Sequence, residues 1–256
     1  MIDNNYLIDT HCHISLTDDV DGLIMDADAN NVKKFIISGC DKRSIRDGLE
    51  IIYRYPSIFM TVGFHPDEVD DITDKDIDDL EVLLKTNKKI VGIGEIGLDY
   101  YHNDMNKERQ REFFVKQLEL AIKYDLPVVI HSRESIQEIL DILKEHPKSR
   151  GVIHCFSGSI EMAKEFIKLG FYLGIGGVIT FKNSKLKDVV NELSLDNIVL
   201  ETDSPYLAPE PYRGKTNFPQ NVKIVAQFIR KLKNISMEEV ECITTSNVNK
   251  IYNLYK

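Results

Sequence analysis

Two histidines one residue apart, His11 and His13, close the short apolar run in YLIDTHCHIS (residues 6–15). In an extended strand alternate side chains share a face, so the two imidazoles project together and can hold one metal ion. The same spacing also suits one core histidine beside one exposed histidine at a turn, and H-x-H alone is no fingerprint. What decides between these readings is whether equivalent positions elsewhere in the chain carry further ligands.

They do. The run ending in GFHP offers His65, GIGE offers Glu95, VVIHSR offers His131, VIHC offers His154, and VLETDSP offers Glu201 and Asp203. Five of the seven histidines stand at such run ends; His102 and His146 are the exceptions. Imidazole mixed with carboxylate suits zinc, manganese, iron, nickel or cobalt, with magnesium favoured where carboxylate and water dominate. The donors are too many for one tetrahedral ion and enough for two ions sharing a carboxylate. Glu95, on a run between the two histidine groups, is the natural bridge. Two dications against two carboxylates leave a site of roughly +2, which attracts an anionic substrate. Water bound there loses a proton near neutral pH, and two ions can clamp the attacking and leaving oxygens of a phosphoryl displacement.

The elements that must position these groups are eight short runs rich in branched apolar residues: 6–9, 34–38, 58–63, 89–95, 127–131, 151–155, 171–177 and 197–202. Their length and composition suit strands buried on both faces. Amphipathic helical patterns lie between them, at 106–125, 134–146 and 159–170, the last with Gly170 as C-cap. From about residue 219 the chain reads as two helices, the second opened by Ser236 with Glu239 completing a capping box. The alternation predicts an α/β fold, a (β/α)8 TIM barrel forming a single domain over 1–256, in which all strand C-termini converge on one face. An open doubly wound sheet is the alternative, weakened by the absence of G-x-G-x-x-G after the first run. The acidic run 67–81 reads as a solvated loop and helix face, since it lacks the ordered spacing and central glycine of a calcium loop.

Bulk properties narrow the partners. A net charge of −9 excludes a general polyanion binder. The N-terminal MIDNNYLID lacks a basic stretch followed by an apolar one, and no run approaches membrane-spanning length, so a soluble, cytoplasmic protein is expected. Cys12, Cys40, Cys155 and Cys242 form no C-x-x-C pair and read as reduced thiols. Cys12 and Cys155, each beside a histidine, are expected to point away from it and pack. His102 and His146 are expected at the surface, His146 against a helix C-terminus.

Taken together, IDTHCH, VGFHP, GIGEIGLDYY, PVVIHSR, VIHCFSG, YLGIGG and VLETDSPYLAP resemble the TatD-type metal-dependent deoxyribonucleases, along essentially the whole chain. The resemblance implies His11, His13, Glu95, His131, His154 and Asp203 as metal ligands, with Asp203 also handling a proton. It implies two or three divalent ions (Mg, Mn or Zn) and 3′-to-5′ exonucleolytic hydrolysis of DNA. Related members are assigned deacylation of mischarged tRNA, so a D-aminoacyl-tRNA deacylase, or another ester or amide hydrolase on the same barrel, is the alternative.

Other residues keep two readings each. His65 is a third-ion ligand, a phosphate contact or a general acid for the leaving oxygen, or it simply shapes its loop. Glu201, one layer below Asp203 on the same strand face, orients a ligand or binds an additional ion. Arg133 grips a phosphate or caps the next helix; Ser157 contacts phosphate or forms a helix N-cap. Tyr212, Arg213 and Lys215 form a basic, aromatic spot suited to a nucleic-acid strand, or else a solvated loop. The expected partner is nucleic acid, DNA or alternatively tRNA, with no membrane and no obligate protein partner.

Overall fold

The computed structural model describes residues 5–102 and 105–254, so both ends of the 1–256 span lie outside the description. Each of the eight apolar runs becomes a strand: β1 Leu7–Cys12, β2 Val32–Gly39, β3 Ile58–Val62, β4 Ile90–Asp99, β5 Val128–Arg133, β6 Gly151–Ile153, β7 Phe171–Ile175 and β8 Ile198–Leu200. They form one parallel sheet in the order β1 to β8. Closure between the ends is made beyond β8. Asp203 N–H donates to the His11 carbonyl (2.9 Å), and His13 N–H donates to the Ser204 carbonyl (2.7 Å). Buried Asp9 adds a side-chain tie, accepting from Thr202 N–H (2.9 Å) and Oγ1 (2.6 Å). The fold is therefore the expected (β/α)8 barrel.

The connecting helices are α1 Val20–Ala29, α2 Lys42–Arg54, α3 Asp74–Thr86, α4 Lys107–Lys123, α5 Ile136–Glu145, α6 Ile160–Lys168 and α7 Leu186–Glu192, followed by α8 Val222–Lys233 and α9 Met237–Tyr252. The expected signals hold where they were specific: Ser236 and Glu239 make a capping box at α9, and Gly170 takes a φ of +87° just past α6. The acidic stretch becomes a 3-10 turn, Pro66–Asp71, leading into α3. No helix among the described residues is long and apolar enough to cross a membrane.

Two cores flank the strands. The larger packs strand residues such as Leu7, Phe35, Ile37 and Val62 against helix residues such as Ile51, Phe113 and Leu140. The smaller takes Ile8, Ile36, Val91, Val129, Val152 and Val199, one from each of six strands, and packs them on Val248, Ile251 and Tyr252 of α9. Val129, Val152 and Val199 precede His131, His154 and Glu201 by two residues, so the same inner face carries the floor and, one layer higher, the polar groups. Helix α9 thus seals the end of the barrel opposite the site.

Candidate metal centre

Backbone irregularities aim two of the key side chains. In the β1–β2 pairing, Asp9 matches Phe35 and Cys12 matches Ile37, so β1 carries one extra residue where His11 sits. In the β4–β5 pairing, Ile93 matches Val128 and Ile96 matches Ile130, again one extra residue, at Glu95. Such bulges re-aim side chains. Simple alternation, the expectation for His11 and His13, is thus replaced by a bulge at His11 and an end of strand at Cys12. Gly97, two residues past Glu95, has φ +146°, and a Cβ there would lie 2.0 Å from the His131 carbonyl oxygen; only glycine lets β4 and β5 meet.

The six expected ligands converge. Glu95 is central and almost wholly buried. Its Oε2 lies 3.3 Å from His11 Nε2. Its Oε1 lies 2.7 Å from His131 Nδ1, 3.7 Å from His65 Nε2 and 3.8 Å from His154 Nε2. The two oxygens therefore face two groups of imidazoles, the disposition a bridging carboxylate needs. His11 and His13 bring their Nε2 atoms within 3.3 Å. Asp203 Oδ1 stands 3.4 Å from His13 Nε2, 3.7 Å from His154 Nε2 and 3.8 Å from His11 Nε2. The donor set fits divalent ions. Ligands bound at about 2.0–2.2 Å to a tetrahedral ion stand roughly 3.3–3.6 Å apart, the spacing shown by His11 with Glu95 and His13 and by His13 with Asp203. Two clusters, His11 with His13 and Glu95, and His65 with Glu95 and His131, share the same carboxylate.

The cluster's charge state is set by mutual attraction. Burial works to keep His131 and His154 neutral. Asp99 and Glu95 lift His131 to about 9 all the same, and Glu201 and Glu95 lift His154 to about 10. Burial would raise the Glu95 carboxyl, but His154 and His11 hold it well below the usual range, and Asp203 is likewise lowered by His13 and His154. An ion bound by these imidazoles would have to displace their protons.

Around the ligands lies an open cavity of about 1080 Å³ whose wall includes Arg43, His65, Arg133, Ser157 and Tyr206. His65 accepts from Asp67 N–H (3.2 Å) through Nδ1, shaping its loop while Nε2 faces Glu95. Glu201 is fully buried; its Oε1 accepts from Cys155 N–H (2.6 Å) and lies 3.1 Å from His154 Nδ1. A Cβ on Gly174 of β7 would sit 2.2 Å from Glu201 Oε2, so the missing side chain makes room for that carboxylate. Arg133 does not cap α5, whose N-cap is Ser135; it lies 4.2 Å over the Tyr101 ring in the cavity wall. Ser157 does not cap α6, whose N-cap is Ser159. Tyr212, Arg213 and Lys215 are exposed and stand outside the cavity wall.

One expectation is overturned here, and two further residues bear on the site. Cys155 does not point away from the site: it takes φ +46° just beyond β6, which breaks the alternation, and its sulfur groups with His154 and Glu201. His102 is at the surface but is no bystander. Its Nδ1 lies 2.8 Å from Asp99 Oδ2, at the cavity rim. Asp99 itself was not singled out from the sequence. It is fully buried, its Oδ2 lies 3.1 Å from His131 Nε2, and it accepts from the N–H groups of Tyr101 and His102. The even spacing from Glu95 along β4 was the available signal. Cys12, by contrast, packs in the larger core, and His146 forms the C-cap of α5, as expected.

Comparison with known proteins adds to the geometry. The family model described as "TatD related DNase" matches residues 8–253. The "uncharacterized metal-dependent hydrolase YabD" of Bacillus subtilis is 39% identical over 254 residues, covering 97% of this chain and 99% of its own. The crystal structure of YjjV, a TatD homologue from Escherichia coli K12, superposes with a TM-score of 0.92 at 32% identity, covering 99% of both chains. A TatD-family hydrolase from Entamoeba histolytica gives a TM-score of 0.87 at 25% identity over 97% of this chain and 98% of its own.

Proposed function

Since the chain belongs to the TatD-related family of metal-dependent hydrolases, we propose that it hydrolyses DNA phosphodiesters, removing nucleotides from the 3′ ends of single strands. The observation that carries the reading is the Glu95 carboxylate with its two oxygens turned to separate imidazole groups, at the base of a cavity of about 1080 Å³. His11, His13 and Asp203 with Glu95 would hold one ion, and His131 and His154 with Glu95 a second. Bound divalent ions supply Lewis-acid polarisation of a phosphoryl oxygen and a water acidified to near neutrality.

The protein's own groups do the rest. Asp203, open to the cavity, accepts a proton at Oδ from the attacking water. His65 Nε2, on the far side of Glu95, faces the cavity where a leaving oxygen needs a proton. Arg133, flattened on Tyr101, presents a planar guanidinium to a phosphate, and Arg43 lines the same wall. The 3′-to-5′ polarity and the preference for DNA are drawn from the family resemblance. The test uses 3′- and 5′-labelled single-stranded DNA with protein loaded with magnesium, manganese or zinc. Stepwise shortening from the 3′ end, lost in chelator and in His131→Ala and Asp203→Ala, is expected. Intact DNA with every ion, together with turnover of an acylated tRNA, would replace this reading with the deacylase.

A further inference from the structure

The loops after β7 and β8 are docked on each other beside the cavity. The 3-10 turn Gly177–Thr180 follows β7, and Thr180 Oγ1 accepts from Glu210 N–H at 2.8 Å. A Cβ at Gly177 would lie 2.3 Å from the Leu207 carbonyl oxygen, so the two backbones touch. The Arg213 guanidinium lies 4.3 Å over the Phe181 ring. Consecutive turns fix the rest: Tyr212 N–H donates to Pro209 (2.7 Å) and Lys215 N–H to Tyr212 (2.9 Å).

The joined surface has an unusual composition for this chain. Segments 181–188 and 206–215 carry five cations against two carboxylates, in a protein of net charge −9. Lys182, Lys185, Arg213 and Lys215 are exposed, and none pairs with a carboxylate among the described residues; nearby Lys164 and Lys168, by contrast, pair with Glu192 and Glu165. Exposed aromatic rings accompany the charges: Tyr206 is 61% and Tyr212 44% exposed, and Tyr206 lies 5.8 Å from the His13 ring. The adjoining rim, between β1 and the stretch 216–220 that continues the β8 loop, is acidic. Asp18, Asp19 and Asp26 surround a side pocket of about 350 Å³ next to His13. A polyanion leaving the metal centre is thus drawn to the cations on the β7 and β8 loops.

We propose that these docked loops form a single-strand track: bases stack on Tyr206 and Tyr212, and the phosphates that follow meet Lys182, Lys185, Arg213 and Lys215. The track rests on the nuclease reading and extends it to the strand beyond the cleaved bond. Stacking on tyrosine requires unpaired bases, and the backbone contacts make the affinity fall with salt.

The test separates binding from cleavage. Affinity of metal-loaded protein for a phosphorothioate-linked thymidine 12-mer is measured as a function of salt, for wild type and Lys182→Ala/Lys185→Ala. The double variant is expected to bind roughly tenfold more weakly at low salt, with its log–log salt slope reduced by about 1.4, as for two lost phosphate contacts to a single strand. Tyr212→Ala is expected to weaken binding with the slope unchanged. Hydrolysis of thymidine 5′-(p-nitrophenyl phosphate), too short to reach the lysines, is expected to be unaltered in the double variant. Unchanged affinity and slope in the double variant, or no binding by wild type, overturn the track. If the track binds as described but an ordinary 12-mer is never cut, the track stands and the nuclease reading fails.

Discussion

Asp99 holds His131 on the side away from Glu95, so one imidazole is fixed between two carboxylates. Partners of this kind set ring orientation and tautomer, and losing one costs about 10–100-fold in metal affinity. Asp99→Ala is therefore expected to weaken manganese or zinc binding by that factor in competition with a chromogenic chelator, while the fold's circular dichroism is retained. An unchanged affinity would assign Asp99 to His102 and its loop alone. Protonation gives a second prediction at this scale. His131 and His154 rise from an ordinary 6.5 to about 9 and about 10 in the metal-free protein. A histidine with a raised value contributes stability in full below its unfolded value and loses it as pH climbs through the folded one. Without metal, the melting temperature should fall between about pH 6.5 and 10. Ions require neutral imidazoles and displace these protons, so the gain in melting temperature on adding an ion should grow over the same interval. Melts in chelator and in manganese check both signs; a flat chelator series would refute the assignment.

At the scale of elements, the strands were legible because buried parallel strands are short, branched and apolar, and all eight runs meet that description. The ligands were legible because they stop those runs. The bulges at His11 and Glu95 were not legible, since they arise from pairing with a neighbour rather than from local propensity. Asp99 was missed because β4 continues to ten residues, beyond the visible apolar run, and Cys155 was misplaced because the chain turns to a positive φ at its own position. The docking of the β7 and β8 loops left no periodic trace at all. Gly174 tests how tightly strand and site are joined. Its replacement by alanine pushes a Cβ into a carboxylate that is fully buried and held by Cys155. Overpacking of this kind costs about 1–3 kcal/mol. Gly174→Ala should therefore lower the melting temperature and, by shifting Glu201 against His154, reduce bound metal; normal stability and metal content would show that Glu201 has room to move.

For the whole molecule, the barrel is a tube with different ends. One end gathers titratable groups; the other is shut by α9, whose Val248, Ile251 and Tyr252 pack on strand residues that lie one layer below the site. Removing residues from Ser236 onward exposes that apolar floor. Such a truncation is expected to lose its cooperative melt and to aggregate in gel filtration, although it keeps every ligand in its sequence. A soluble truncation with a sharp melt and bound metal would show that the floor is dispensable.

The closure between the two ends of the sheet has a consequence for the protein's birth on the ribosome. The bond from Thr202 to Asp9 spans 193 residues, and the last ligand, Asp203, follows it directly. At roughly 5–20 residues per second, synthesis takes about 10–40 s to travel that far. During that time His11 and His13 have left the tunnel, while Glu95, His131 and His154 arrive one at a time. A nascent chain accordingly offers the cell's metal pool only a loose pair of histidines at first. The full complement, and with it selectivity between ions, comes into being only once synthesis has passed Asp203, so loading with metal is timed by translation of that stretch rather than by a separate device.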